Sequence, residues 1–374
     1  MCRTIMFIRN NLKRAFEEKK NELVLTVQPE KIAKSLLECS FKNTQWKNNI
    51  SASQTPGDKT YMEDSIDVNF IPGWNSADNI KELSTILYLS MQFLGDLLFF
   101  YDTGSTLVCA LHYKDMCLIG NLGDSKALLI REKLNQRKIF RLNQSHRRGN
   151  HYENTRIEKE KRRWGAKNLE YTFVYRGLGG FNYCPLICYE PEISYFRLNH
   201  DTINYKILLC SDGVTDALNE AELAFLISNN ESITPNIINN FAYNAFKYLN
   251  KEADNISSIL YTPHYSDTEI TVACVADGVG NSIVAGLSTK LLAKLINPSI
   301  LSISEEFVPW RELYNNFSSK ISNDNILVMK EYSKTIIDQF LNSNRTIDIL
   351  INDWLEKKKE LCNQIAINSQ NETI

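Results

Sequence analysis

The stretch "TVACVADGVGNS", Thr271–Ser282, decides how this chain is read. Its first half has the residues of a buried strand, and it ends on Asp277 before turning through Gly278 and Gly280. A carboxylate at a strand end is fixed in direction by the sheet and free to face a cleft, which suits a ligand for a hard cation. Asp and Gly are also the usual residues of a plain surface turn, so the stretch takes its meaning from the rest of the chain. It lies late, after the other acidic motifs with which it would have to act.

The 374 residues allow one large domain with extensions or two smaller domains. With 43% hydrophobic and 23% charged residues the composition is that of a soluble globular protein. A net charge of -2 gives no global attraction to nucleic acid or to a membrane surface. The 9 cysteines include no CxxC pair, and Cys109, Cys117, Cys210 and Cys274 lie in apolar runs. Buried thiols in a reducing cytosol are the reading, since Cys184 and Cys188 have no partner pair at zinc-ligand spacing. The N-terminal apolar run is too short for a signal peptide. Leu83–Tyr101 approaches membrane length but is interrupted by Gln92 and Asp96, which makes it a buried core helix and leaves no transmembrane segment.

Residues 1–54 are polar with helical patches and form an expected N-terminal extension. From 55 to 297 short apolar strands alternate with helical stretches, and 298–374 form an expected amphipathic helical appendage. "STLVCALHY" and "MCLIGNLGDSKALLI" read as strands joined by "KD" with a break at "GNLGDS". "YKILLCSDG" reads as a buried strand ending in a polar turn, and Pro235 opens a helix. There is no GxxxxGK[ST] phosphate loop.

Four acidic motifs stand out: "GDKTYMEDSID" with Glu63 and Asp64 in a strand-like segment, "GNLGDSK" with Asp124 at a strand break, "LLCSDGVTDAL" with Asp212 ending a strand, and "ADNISSIL" with Asp254 opening one. Several such carboxylates converging would make a site for magnesium or manganese, which favour oxygen ligands. Singly, each is a common turn. In series, the chain from Gly57 to Leu260 closely resembles the metal-dependent type 2C protein serine/threonine phosphatases. "GDKTYMEDS" is similar to that family's G-x-[RK]-x-x-MED segment, "GSTLVCALHY" to its GST strand and "IGNLGDSKALLI" to its VGDSRA motif. "ENTRI", Glu153–Ile157, resembles E-x-x-R-I, and "YRGLGG" stands where the family has SRALGD. "EPEI", "LLCSDGVTDAL" and "ADNISSIL" complete the order.

The resemblance implies an α+β, four-layer αββα sandwich of two antiparallel sheets flanked by helices. It also implies hydrolysis of phosphoserine and phosphothreonine by a water bridging two metal ions. One family motif, DGHGG, is absent from its usual place between MED and GST. "ITVACVADGVGNSIVAGLSTKLLAKL" resembles that strand, turn and helix, as though moved to the C-terminal side. The short "TPHYSDTE" connection after "NISSILY" predicts an antiparallel hairpin that would set Asp254 beside Asp277.

By resemblance, Asp64, Asp212, Asp254 and Asp277 are the catalytic metal carboxylates. The Gly278 carbonyl is a further ligand, Glu63 acts through a metal-bound water, and Asp124 lies near an accessory third position. The implied cofactors are two or three Mn²⁺ or Mg²⁺ ions. Lys59 would meet the substrate phosphate as a point charge without the bidentate geometry of arginine. Val279 stands where many members have the DGH histidine, Gly180 where they have the ALGD aspartate, and Asn281 where they have the second glycine of the turn. His146 and His151 are read as surface residues.

The implied partner is a phosphoprotein substrate, with the C-terminal helices a candidate region for binding a protein partner. The competing reading is a catalytically inactive pseudophosphatase used as a scaffold. The Asn-, Lys- and Ile-rich composition hints at an AT-rich bacterial genome. A cytoplasmic location and delivery into a host as a bacterial effector both stay open.

Overall fold

The computed structural model describes residues 41–47, 50–74, 79–133, 136–164, 174–180, 187–199, 204–228, 233–263, 265–279, 283–303, 307–310, 312–313, 322–343 and 345–371. Residues 1–40 of the expected N-terminal extension, Cys184 and Asn281 lie outside them.

The first strands are β1 (Lys42–Trp46), β2 (Ile50–Thr55) and β3 (Ser65–Pro72), followed by helix α1 (Ile80–Leu98). Next come β4 (Gly104–Ser105), β5 (Leu107–Tyr113), β6 (Met116–Leu122), β7 (Lys126–Lys133) and β8 (Gln136–Arg141). Helix α2 (His151–Trp164), β9 (Leu178–Gly179), β10 (Glu192–Arg197) and β11 (Asn204–Cys210) lead to α3 (Asp212–Thr215), α4 (Glu220–Ser228) and α5 (Pro235–Tyr248). The chain ends with β12 (Ile256–Tyr261), β13 (Glu269–Ala276), α6 (Ile283–Leu295), a 3₁₀ turn (Pro298–Ile303), α7 (Asn323–Asn342) and α8 (Ile347–Asn371).

Two antiparallel sheets form the centre. One has the order β1-β2-β12-β11-β7-β8 and the other β10-β6-β5-β13-β3. Side-chain alternation explains why both faces of each sheet are covered. Along β13, Ile270, Val272, Cys274 and Ala276 join α1, α6, α7 and α8 on the outer face, while Ala273 and Val275 face the other sheet. Along β11, Leu208 and Cys210 meet α4 and α5, while Ile207 and Leu209 point between the sheets. Helices, sheet, sheet and helices therefore stack as four layers, as expected. Strands buried on both sides explain the continuous apolar runs in the sequence.

Two differences from expectation are physical findings. β12 and β13 do not form a hairpin: they lie in different sheets, with β12 paired to β2 and β11 and β13 paired to β3 and β5. β12 is buried at every position and β13 at all but its first, so each has two faces to cover and takes an interior place in its own sheet. Residues 42–55, taken in sequence mostly for extension, supply β1 and β2 at one edge of the larger sheet. Alternation in "ISASQT", with Ile50 and Ala52 turned inward, is the strand signal there.

The C-terminal region is helical, as expected, and its helices α7 and α8 share a core with α1. Trp310, Ile336, Phe340, Trp354 and Leu361 all belong to the cluster that covers β5 and β13. Asp96 of α1 is fully buried and accepts hydrogen bonds from the Trp310 N–H (2.6 Å), Trp354 Nε1 (2.9 Å), Tyr189 Oη (3.1 Å) and Lys358 Nζ (2.7 and 2.8 Å). A buried carboxylate is tolerated because its lone pairs are satisfied by a cation and several neutral donors. Among the described residues no helix is long and apolar enough to cross a membrane.

Candidate metal centre

Register assembles the acidic residues at one end of the sandwich. In the smaller sheet the β3–β13 pairing closes on Ser65 opposite Ala276. One step beyond that pair stand Asp64 and Asp277, next to each other. In the larger sheet Cys210 lies opposite Lys126. Two steps beyond stand Asp212 and Asp124. Carboxylate oxygens of Asp124, Asp212 and Asp277 lie within 4.8 Å of one another.

Asp64 is 6% exposed, and neither of its carboxylate oxygens has a hydrogen-bond partner; Asp124 Oδ1 is likewise buried and unpartnered. Burial pushes the Asp64 pKa up to about 6. Burial and the charges of Asp124 and Asp216 push Asp212 up to about 7. Asp277 is raised well above the carboxylate range by burial and by Asp64 and Asp212. Like charges gathered out of water penalise their own ionised forms, and a cation among them relieves that penalty. Bare buried oxygens and an all-carboxylate donor set fit hard divalent ions such as Mg²⁺ or Mn²⁺.

The motifs that supply these residues are tied together by backbone and hydroxyl contacts. The Thr106 N–H donates to the Asp277 carbonyl (2.9 Å), Ser105 Oγ donates to the same oxygen (2.9 Å), and the Val279 N–H donates to the Gly104 carbonyl (3.0 Å). Thr106 Oγ1 in turn lies 2.8 Å from Ser125 Oγ, so the GST and GDS segments hold the DGV turn from one side. Gly278 is bridged to Ser105.

On the other side Asn255 clamps the MED segment. Its Oδ1 accepts the Glu63 N–H (2.5 Å), and its Nδ2 donates to the carbonyls of Pro56 (2.9 Å) and Tyr61 (3.2 Å). Gly57, at φ +65°, sits so close to this strand entry that a Cβ would lie 2.2 Å from the Asp254 carbonyl. Gly213 meets the Asn255 carbonyl in the same way, at 2.0 Å. These contacts explain the glycines of GDK and SDG.

Asp254 stands at the rim, its side chain 52% exposed and paired with Lys59 Nζ at 3.3 Å. It is close enough to Asp64 for its charge to help raise that residue's pKa. Lys59 also lies 3.9 Å from Glu63. A cleft of about 480 Å³ borders Asp64, lined also by Met62, Thr55 and Lys42.

Sequence reasoning missed two neighbours. His146 is 2% exposed, not a surface residue: its Nδ1 accepts the Gly123 N–H (3.1 Å), and its Nε2 faces Glu192 Oε2 at 3.2 Å. Burial lowers its pKa, and the ring is a neutral support for the turn that carries Asp124. His151, in contrast, is exposed at the start of α2. Arg147 reaches into the acidic cluster, with Nε and Nη2 bonded to Asp124 Oδ2 (2.8 and 2.5 Å) and Nη2 3.2 Å from Asp212 Oδ2. The "SHRRGN" loop carried no periodic signal, and only its polarity was legible.

The ENTRI and YRG motifs meet as a buried ion pair. Glu153, 2% exposed, accepts both Arg176 Nε (2.9 Å) and Nη2 (2.6 Å) as well as Arg156. Burial works to raise its pKa, but Arg176 and Arg156 outweigh it and hold it at about 2.

Residues 100–254 match the family model described as Protein phosphatase 2C. The resemblance to the type 2C phosphatases is thus shown over that segment; β13 and α6 lie outside it. Solved structures that the chain is similar to include the serine-threonine phosphatase 2C from Toxoplasma gondii (15% identity, 60% of this chain and 99% of that one, TM-score 0.44). The serine/threonine phosphatase of S. agalactiae is 13% identical over 60% of this chain and 92% of its own, with TM-score 0.37. Stp1 from Staphylococcus aureus is 16% identical over 66% of this chain and 99% of its own, also with TM-score 0.37. No curated protein matches the sequence.

Proposed function

We propose that this protein is a metal-dependent protein serine/threonine phosphatase acting on phosphoserine and phosphothreonine. The observation that carries the reading is the gathering of Asp124, Asp212 and Asp277 at one end of the sandwich, with Asp64 beside Asp277 and three buried oxygens left unpartnered. Asp64, Asp212 and Asp277 would hold two Mn²⁺ or Mg²⁺ ions. The Gly278 carbonyl and Asp124 would be added ligands, Glu63 would act through water and Asp254 from the rim. When bound, such ions lower the pKa of water and stabilise charge on a phosphoryl group in flight.

The chain's own residues set the geometry. Asn255 and Gly57 fix the approach of the MED segment, and the Ser105 and Thr106 contacts fix Asp277. Lys59, half-exposed at the rim, would exchange its ion pair with Asp254 for the substrate phosphate. Val279 is 65% exposed where a histidine would offer an acid, so the leaving oxygen would take its proton from water. We further propose that β13 and α6 are the family's DGxG strand and helix moved along the chain; the place of β13 between β3 and β5 supports this.

Asp277→Ala should abolish Mn²⁺-stimulated hydrolysis of a phosphopeptide while circular dichroism stays unchanged. Full activity in that variant would refute the assignment. The pseudophosphatase reading draws on Arg147, a cation already bonded to Asp124 and Asp212. Calorimetric titration with Mn²⁺ separates the two, since a scaffold need bind no ion. Protein-partner binding by α7 and α8 is a further proposal, supported by exposed Leu327 and Val328 on α7.

A further inference from the structure

The acidic cluster has two unlike sides. On one, the Arg147 guanidinium grips Asp124 Oδ2 through Nε and Nη2, reaches Asp212 Oδ2 with Nη2, and bonds Asp216 Oδ1 with Nη1 at 3.1 Å. On the other, both Asp64 oxygens and Asp124 Oδ1 are buried and bare. Resting on the phosphatase reading above, we propose that Arg147 is a resident counter-cation that reserves one side of the cluster. Divalent ions then load only on the Asp64–Asp277 side, and the site takes two ions, not three.

The support of Arg147 makes it a fixture of the site. The residue before it, His146, donates its N–H to the Gly123 carbonyl (2.8 Å) and accepts the Gly123 N–H on Nδ1. The loop that carries Arg147 is thus bonded twice to the turn that carries Asp124. The backbone of Arg147 is itself bridged to Val174. A guanidinium keeps its charge at every accessible pH, and its fork matches a carboxylate. A further divalent ion seeking Asp124 Oδ2 or Asp212 Oδ2 would have to break these bonds and stand beside a fixed like charge. Lysine would keep the charge without the fork. A neutral side chain would vacate the position.

Mn²⁺ is titrated calorimetrically into the full chain, as wild type, Arg147→Lys, Arg147→Gln and Arg147→Ala, with thermal melts to confirm folding. The expected result is two ions per chain for wild type and Arg147→Lys, and a third for Arg147→Ala and Arg147→Gln. Arg147→Gln keeps hydrogen-bonding capacity and provides the neutral comparison if the alanine variant fails to fold. Neutral variants that bind the same number of ions with the same affinity as wild type overturn the proposal, as does a wild type that takes three. If wild type binds none and the neutral variants do bind, the counter-cation role is upheld and the phosphatase reading falls. If no variant binds Mn²⁺, both fall.

Discussion

Asp64→Asn should stabilise the metal-free protein at neutral pH while removing its response to metal. The Asp64 carboxyl titrates near 6 in the fold against 3.8 as the ordinary value, chiefly because it is buried. The folded state therefore holds this proton more tightly than the unfolded chain does. Stability is highest below the unfolded value and is lost as pH rises through about 6. At pH 7.5 in EDTA the ionised Asp64 costs the fold about 3 kcal/mol. Asparagine removes that charge and keeps one oxygen facing the Ser257 and Ser211 hydroxyls, which lower the Asp64 pKa. Its amide donors, if left unsatisfied, cost about 1–3 kcal/mol, but the carboxylate of Asp277 lies next to them to accept. A net gain of about 1–3 kcal/mol, or a few degrees in Tm for a chain of this size, is expected at pH 7.5 in EDTA. At pH 4 the difference should vanish. Saturating Mn²⁺ should reverse the order, because ligand at a hundredfold excess over Kd adds about 2.7 kcal/mol to a chain that binds it. The measurement is a thermal melt of both proteins at the two pH values, with EDTA and with Mn²⁺. An asparagine variant that melts at or below wild type at pH 7.5 in EDTA would refute the reasoning.

Two other perturbations probe the frame around the site. Lys358→Met leaves Asp96 charged and buried with only neutral donors, so denaturant unfolding should show a loss of about 3–5 kcal/mol. The double variant Asp96→Asn/Lys358→Met should cost clearly less than the two single losses summed, as shared partners require. Gly57→Ala puts a methyl against the Asp254 and Ala253 carbonyls at a backbone angle that favours glycine. The left-handed conformation alone costs about 1–2 kcal/mol, and displacement of Asp254 should weaken Mn²⁺ binding in a calorimetric titration.

The layers of this fold were legible because strands buried on both faces write themselves as unbroken apolar runs. "ILLC" and "VACVA" are of that kind, and both strands are interior to their sheets. β1 was harder to see, since "KNTQW" is an edge strand with little to bury and looks polar in sequence. That Asp124, Asp212 and Asp277 would gather was legible from acidic turns that follow or break apolar strands. Their supports were not. His146 and Arg147 act through contacts between segments far apart in the chain, and nothing in a polar loop states which partner it will meet. Pairing of strands was the weakest inference, because a short connection permits a crossing between stacked sheets as readily as a hairpin when both strands have two faces to bury.

That last error shows why the site can assemble even though its expected route was wrong. A hairpin would have brought Asp254 to Asp277; the structure brings Asp64 to Asp277 through β3 and β13, and Asp124 to Asp212 through β7 and β11. Antiparallel pairing requires only complementary register and two apolar faces, not a particular order of arrival along the chain. β13 meets both needs in the slot between β3 and β5, and α6 follows it with Thr289 Oγ1 lying 2.9 Å from Ser65 Oγ of β3. If the DGVG element was moved in sequence, the sheet would have had no means of registering the change. The acidic end of the sandwich depends on strand neighbours, and those neighbours are held by burial on both sides.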